Sequence, residues 1–410
     1  HARNADASTE FNGTWTTGKG ENRWPGALDL SANFSRLQIK QLHRYLPIYI
    51  DAEARAYLKD ALMGGEATQA SLRLRGNLTD MPFDNPKLGE FRVVAQIANG
   101  QYAYVPPVKG KPTNLANTWP AIASLNGELV YDRSALTFKG AGKLAGAPQL
   151  AWDKIEANLP NVKDLDVSVK AQARGPLAEM QAVVARSALN DLLNRVLEKS
   201  QATGTAEFKM QLNVPVRALQ KTSVQGSVTL QDNDVQIMPG VPVLNKARGV
   251  VQFDTQGLTT KNLKARVFGG DAQIDGGLSF DPNKTEVSDP LRIKGVVTAE
   301  GLRQAGELGV FSRLALRANG STSYAATVAL RKGQPEILVQ SDLKGMALTL
   351  PAPMNKPAAT SWPLRLETQL TKDSLAPKSK VMQDQIKLSV ARVRSEERRV
   401  GKECLRLCRS

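Results

Sequence analysis

The chain has 410 residues, a formal charge of +15 from 54 Lys and Arg against 39 Asp and Glu, 5% aromatic residues and a mean hydropathy of −0.30. That length excludes a mini-protein, the composition excludes bulk disorder, and no run approaches the roughly 18 apolar residues of a membrane-spanning helix. The only cysteines are Cys404 and Cys408 and the only histidines His1 and His43, so residues 1–403 offer no disulfide framework, cysteine nucleophile or zinc cluster, and no cofactor or metal is expected.

The chain opens on the polar stretch His1 to Glu10, with neither Met nor an apolar leader, and is read as a fragment of a longer protein. Asp51 is placed to cap a helix over 52–63, with Ala54, Tyr57, Leu58, Ala61 and Leu62 at helical spacing and Gly64-Gly65 as its stop. Beyond it the sequence alternates apolar and polar residues, the period of strands with one buried and one wetted face. Phe91, Val93, Ala95 and Ile97 form one such run, and Leu165, Val167, Val169 and Ala171 another. Ser187 is placed to cap a second helix reaching about Lys199. Cleaner alternation follows in Phe208, Met210 and Leu212, in Ala272, Ile274, Leu278 and Phe280, and in Tyr324, Ala326, Val328 and Leu330. A weaker helix is expected after Thr298, around 301–308. Asn99-Gly100, Asn126-Gly127, Gly269-Gly270 and Asn319-Gly320 read as hairpin turns between strands.

The expected fold is therefore mostly β, a long twisted antiparallel sheet with about eighteen strands and a few short helices near 52–63, 187–199 and 301–308. Soft boundaries fall near 185 and 300, giving segments 1–185, 186–300 and 301–392. At Val393 the alternation stops and charge rises; SEERRVGKEC resembles translated sequencing adaptor, and residues 393–410 are read as a non-native tail. The other readings of that end are a basic amphipathic terminus and a Cys-x3-Cys metal or redox pair, the latter short of two ligands.

So few helices cannot cover so much sheet. The apolar face closes on itself as a sandwich or barrel, packs on another chain, or stays open for acyl chains to complete. Pattern alone favours the closed form.

Three strings bear on this. Ser341 to Lys356, SDLKGMALTLPAPMNK, resembles a signature of the YhdP-type members of the AsmA-like, TamB-related family of bacterial envelope proteins. Val241 to Leu278 is similar to a repeat of that family, and so is Arg44 to Phe83, which runs from RYLP to LRLRGNLTDMPF. The strings stand in the family's order. The resemblance implies an elongated hydrophobic β-groove in the periplasm, anchored to the inner membrane in the full-length protein. It further implies passive movement of phospholipid between inner and outer membranes without a chemical reaction. The chain has neither the family's N-terminal membrane helix nor its C-terminal region.

On that reading the groove lining comprises Phe208, Met210, Leu212, Val228, Leu230, Val251, Phe253, Val267, Ile274, Leu278, Val328, Leu330, Val339, Leu348 and Leu350. Arg44, Lys264, Arg266, Arg292 and Lys294 are the candidate rim charges for headgroups. A structural sandwich or carbohydrate-binding envelope module is the rival reading. Nucleic acid is not expected as a partner, because basic residues are interspersed with acids and lack interleaved aromatics. The pairs Asp232 and Asp234, and Asp271 and Asp275, read as turn formers rather than acid/base pairs.

Overall fold

The computed structural model describes residues 1–18, 23–46, 51–106, 120–187, 189–192, 195, 197–237, 241–279, 290–331, 334–352, 354–371, 374, 383–390 and 393–400. In chain order the first strands are β1 (Ala2–Arg3), β2 (Ala7–Thr16), β3 (Ala27–Gln38), β4 (Leu62–Asn77), β5 (Gly89–Tyr102), β6 (Ile122–Asp132), β7 (Ala135–Leu144), β8 (Ala147–Leu159) and β9 (Asp166–Pro176). They are followed by β10 (Gln201–Ala202), β11 (Thr205–Pro215), β12 (Ser223–Gln236), β13 (Leu244–Asp254), β14 (Gly257–Val267), β15 (Gly270–Ser279) and β16 (Leu291–Thr298). The last are β17 (Ala318–Arg331), β18 (Gln334–Ser341), β19 (Met346–Leu348), β20 (Leu364–Leu370), β21 (Gln383–Val390) and β22 (Val393–Val400). The helices are short: α1 (Ala52–Ala61), α2 (Leu177–Ala185), α3 (Leu189–Leu192), α4 (Ala299–Gln304) and α5 (Val310–Leu314).

The chain forms two compact units. One comprises His1–Leu189 with Glu207–Gly226, the other Asn190–Ala206 with Ser227–Ser410. In the first, β1 to β9 form an antiparallel meander in which each strand pairs with the next, and β11 lies beside β9. In the second, β10 pairs with the end of β12, and β13 to β18 run as a meander continued by β20, β21 and β22. No described pairing joins the first strand of either meander to its last, so among the described residues neither closes into a barrel.

Four expectations are corrected. Helix α1 ends at Ala61, ahead of the glycines, because Leu62 is already extended and Ala103 N–H donates to Ala61 O at 2.9 Å, drawing the chain into the sheet. Asp51 makes no side-chain cap bond there. A helix is present one element earlier than expected: α2 follows Pro176, while the Ser187 hydroxyl donates to Val184 O and accepts from Leu189 N–H, leaving only α3 described inside 187–199. Residues 188, 193, 194 and 196 of that expected helix lie outside the described residues. Of the four expected hairpin turns only Gly269-Gly270 falls at one, where the two-residue loop is Phe268-Gly269 and Gly270 opens β15. Asn99-Gly100 lies inside β5 at a register slip, Asn126-Gly127 inside β6 and Asn319-Gly320 inside β17. Finally, pairing does not stop at Val393, since β22 carries an eight-pair ladder with β21 to Val400. Phe280, Cys404 and Cys408 lie outside the described residues.

The third helix stands where expected, α4 being capped by Thr298, whose Oγ1 accepts from Gly301 N–H at 2.9 Å. It packs with Val297, Ala318 and Met346 in a small buried cluster, with Phe268, Leu302, Tyr324 and Leu348 against it. The strand-to-helix corner is tight. A Cβ on Gly270 would stand 1.9 Å from Val296 O, and one on Gly301 the same distance from Phe268 O. Only glycine lets these backbones approach so closely.

The 341–356 segment is a folded-back loop held by one cation. Lys356 is 1% exposed, and its Nζ donates to Leu343 O at 2.7 Å, Met346 O at 2.8 Å and Pro357 O at 3.2 Å. Burial pulls its ammonium below the usual lysine range, and the charge of Asp342 opposes that shift. Around it Leu348 and Lys356 exchange backbone hydrogen bonds, and β19 pairs with the first residues of β17. Replacing Lys356 by Met strands three inward carbonyls, so urea unfolding of Lys356→Met is expected to show a loss of about 3 kcal/mol. Thr298→Ala is expected to cost about 1 kcal/mol through the lost cap. Gly270→Ala destabilises far more than Gly306→Ala, since a Cβ at Gly306 meets nothing within 4 Å; equal melting temperatures for these two variants would contradict the close packing at the corner.

Candidate functional site

The register sorts side chains into rows that cross the strands, and a row belongs to one face. In the first unit one row runs Ala7, Leu37, Ala67, Ile97, Gly127, Gly140, Ile155 and Ala171 from β2 to β9. A second runs Thr9, Phe34, Ala70, Ala95, Leu129, Phe138, Ala157 and Val169, and a third Phe11, Ala32, Leu72, Val93, Tyr131, Leu136 and Leu159. None of these positions is ionisable below the phenol of Tyr131. At about 4.8 Å per strand, each eight-strand row spans about 34 Å.

In the second unit Leu263, Ile274, Ile293, Ala326, Val339, Leu366 and Leu388 form one row across seven strands. Leu291, Val328, Ile337, Thr368 and Ile386 form the next. The row on the other side passes through Ala272, Gly295, Tyr324 and Ser341 to Leu364. Tyr324 places on this face a buried hydroxyl that has no hydrogen-bond partner among the described residues, and burial pushes its phenol up to about 12.

Burial along these rows is uneven. Ile274 is 2% exposed, yet Ile293, Val339, Leu366 and Leu388 are only half-buried although strands flank them on both sides. Leu72, Val93, Leu129 and Ile155 are likewise half-buried in the first unit. Side chains facing a second packed layer at mid-sheet would be fully covered.

Bulges keep the apolar set on one side. In β14 the register slips between Thr260 and Leu263, so that Leu258 and Thr260 share a face with Leu263, Ala265 and Val267. Asp275 holds that bulge by accepting from Asn262 N–H at 2.6 Å and from Gln273 Nε2 at 3.0 Å. The backbone donor at Asn262, followed by Gln273, lowers its pKa. Asp232 pairs with the Arg248 guanidinium, which lowers its pKa, Asp234 accepts from Lys246 N–H at 2.9 Å, and Asp271 faces Arg266 at 3.7 Å. Each carboxylate holds irregular backbone or pairs an arginine, but all four lie inside strands β12 and β15 and not at the turns the sequence suggested. Among the described residues no group of three or more His, Cys, Asp or Glu is placed to hold a metal ion.

The structure brings Val251, Phe253, Val267, Ile274, Leu278, Val328, Leu330 and Val339 onto the apolar face of the second unit; Val251 and Phe253 join it through Thr260 and Leu258. Val228 and Leu230 lie in β12 of the same unit, half-buried and buried. Phe208, Met210 and Leu212 belong to β11 in the first unit, Phe208 buried. Leu348 packs in the α4 cluster and Leu350 lies beyond β19. The expected rim charges do not border this face. Lys264, Arg266, Arg292 and Lys294 point to the opposite, exposed side, in a row where Lys264, Gln273 and Lys294 are neighbours. They alternate with Leu263, Ala265, Ile293 and Gly295, and a strand period of two sends such neighbours to opposite faces. Arg44 is elsewhere, on the 3-10 turn after β3, paired with Asp6 at 3.0 Å. Sequence reasoning missed the first unit's rows as a lining, although Phe91, Val93, Ala95 and Ile97 signalled their β5 members.

Among the described residues no helix is long and apolar enough to cross a membrane. No solved structure matches the chain. It is 25% identical over 342 residues to a protein of Escherichia coli (strain K12) named intermembrane phospholipid transporter YhdP, an alignment covering 82% of this chain and 25% of that protein. The chain thus spans about a quarter of the length of this curated relative. The family model described as YhdP protein matches residues 1–401, and the chain belongs to that family.

Proposed function

We propose that the chain is a segment of a conduit that carries phospholipid between two membranes, its apolar faces holding acyl chains while the opposite faces meet water. The observation that carries this reading is the set of uncharged, mostly apolar rows in which several mid-sheet members, Leu72, Val93, Leu129, Ile293 and Val339 among them, stay half-buried. Each methylene withdrawn from water onto such a surface contributes roughly 0.8 kcal/mol, without directional demands. The name of the E. coli relative supports phospholipid as cargo and two membranes as the end points. Together with the family, it supports a periplasmic location for this segment in a chain anchored to the inner membrane.

The process needs no covalent step, so the protein is no enzyme, and movement runs down the lipid's chemical potential. The rival sandwich or carbohydrate-binding module requires a dry, covered interior, and the half-buried rows speak against it. The charges of Lys264 and Lys294 serve on this reading to hydrate the outer face.

Lipid extraction of the purified chain followed by mass spectrometry is expected to recover phospholipid. Vesicle-to-vesicle transfer is expected to fall with Ile274→Asp or Val328→Asp, each placing a carboxylate in an apolar row. Lys294→Asp, on the opposite face of β16, is expected to leave transfer unchanged. Circular dichroism and melting curves separate loss of binding from loss of folding. A lipid-free, folded protein whose transfer is indifferent to all three substitutions would refute the conduit.

A further inference from the structure

The wet faces of the two units carry their charge differently. On the first unit one cross-strand row reads Gln96, Glu128, Lys139, Glu156 and Lys170 from β5 to β9. Its signs alternate, so opposite charges face each other across the strands. The Lys154 ammonium first, then those of Lys139 and Lys170, hold the Glu156 carboxyl below its usual range.

On the second unit the matching row has one sign. Arg248 stands directly opposite Lys264, Gln273 separates Lys264 from Lys294, and Ala325 and Gln340 lie between Lys294 and Arg365. The row crosses the seven strands β13 to β18 and β20 without an acid, and every member is exposed. At about 4.8 Å per strand it is about 29 Å long. Acids do flank it. Asp232 pairs with Arg248, Glu367 with Arg365 at 3.2 Å and Asp271 with the adjacent Arg266 at 3.7 Å, while Asp275 accepts from Asn262 N–H and Gln273. The next row on that side, Asp275, Arg292, Thr327, Leu338, Glu367 and Lys387, is mixed in sign. Among the described residues no acid forms an ion pair with Lys264 or Lys294.

Setting Arg248 against Lys264 costs stability, since like charges directly opposite repel. Hydration does not require it, because the first unit's face is kept wet by alternating signs. Lys264 and Lys294 thus present uncompensated charge to whatever approaches the face, and the layout narrows what that is. The cations are strung along a line rather than gathered about a point, which suits a chain of anions better than a single phosphate. No aromatic stands in the row to stack a nucleic acid base. Adjacent strands rotate by roughly 20°, so a flat bilayer meets only part of the row, whereas an extended chain can follow it. Exposed Gln273 and Gln340 offer amide donors and acceptors to a peptide backbone. We propose that this row is a docking track for an extended acidic segment of a partner protein, about nine residues of which would span it. The track lies on the face opposite the acyl-chain rows and does not depend on the conduit reading.

The test uses the full chain and a fluorescent peptide of alternating Glu and Gly, about twelve residues long. Anisotropy at an ionic strength of about 0.15 M is expected to show saturable binding that weakens as salt rises. Lys264→Gln combined with Lys294→Gln is expected to weaken it at least about tenfold, while Lys139→Gln combined with Lys170→Gln, which removes the same charge from the first unit, changes it less than about twofold. Lys264→Gln alone is expected to melt no lower than the parent chain, because it relieves the opposition to Arg248. Equal sensitivity to both pairs would reduce the binding to net charge and overturn the track. So would a lower melting temperature with unchanged peptide affinity, which would make the row structural. Phosphatidylglycerol vesicles that require Lys264 and Lys294 while the peptide does not bind would overturn it in favour of a membrane-facing surface. None of these outcomes bears on lipid extraction, so failure of the track leaves the conduit standing.

Discussion

An antiparallel sheet with one apolar face is stable only if something keeps that face on one side and out of water, and among the described residues no second sheet within either unit does so. The whole arrangement depends on register. Because the side-chain period is two, a slip of one residue would send every apolar side chain of a strand to the wet face. The chain meets this with bulges placed at matching levels of neighbouring strands. Extra residues near Ser35 in β3 and Thr68 in β4 let Phe34 and Leu37, and Ala67 and Ala70, share a face, in step with Ala95 and Ile97 on β5. Asp275 and Asn262 do the same for β14. The polar residues that a search for catalysis would single out are thus the ones that maintain the apolar rows.

This constraint explains which features were legible. Alternation over Phe91 to Ile97 and Ala272 to Leu278 declared strands directly, because the period is local. The dipeptides Asn99-Gly100 and Asn126-Gly127 misled for a physical reason. Positive φ at Asn99 and Gly127 serves a bulge as readily as a hairpin, and only the partner strand decides between them. The actual β6 to β7 turn uses Arg133-Ser134, which carries no such signature. The start of the helix after Pro176 was illegible because LAEMQAVVA is apolar nearly all round and shows no clear stripe. The face of Lys264 and Lys294 could have been read from their alternation with Leu263 and Ile293. The rows, by contrast, require register, which no single strand contains.

The segment with the most distinctive sequence proves to be architectural. Asp342 accepts from Lys344 N–H at 3.0 Å, Ser341 Oγ from Leu343 N–H at 3.1 Å, and Lys356 gathers three carbonyls, so the polar positions of SDLKGMALTLPAPMNK fold the loop back beside β17. A buried ammonium satisfied by backbone oxygens fixes one conformation, because moving any strand of the loop would strand either charge or carbonyl. Sequence distinctiveness here coincides with a difficult piece of backbone.

If the conduit reading holds, the composition of the rows bears on movement as well as binding. Ala, Val, Leu, Ile and Gly recur from strand to strand, so an acyl chain displaced by one strand spacing of about 4.8 Å meets nearly the same surface again. Hydrophobic contact is non-directional and scales with area, so for a bound acyl chain successive positions would differ little in free energy and no deep well would hold it. Large aromatic pockets would create such wells, and Phe11, Phe34, Tyr131 and Phe138 in the first unit and Tyr324 in the second are the larger exceptions among the rows. A surface of this kind discriminates poorly between acyl chains. On that reading any selectivity would come from polar groups met at the sheet edges or, in the second unit, from the phenol of Tyr324, whose buried hydroxyl has no hydrogen-bond partner among the described residues.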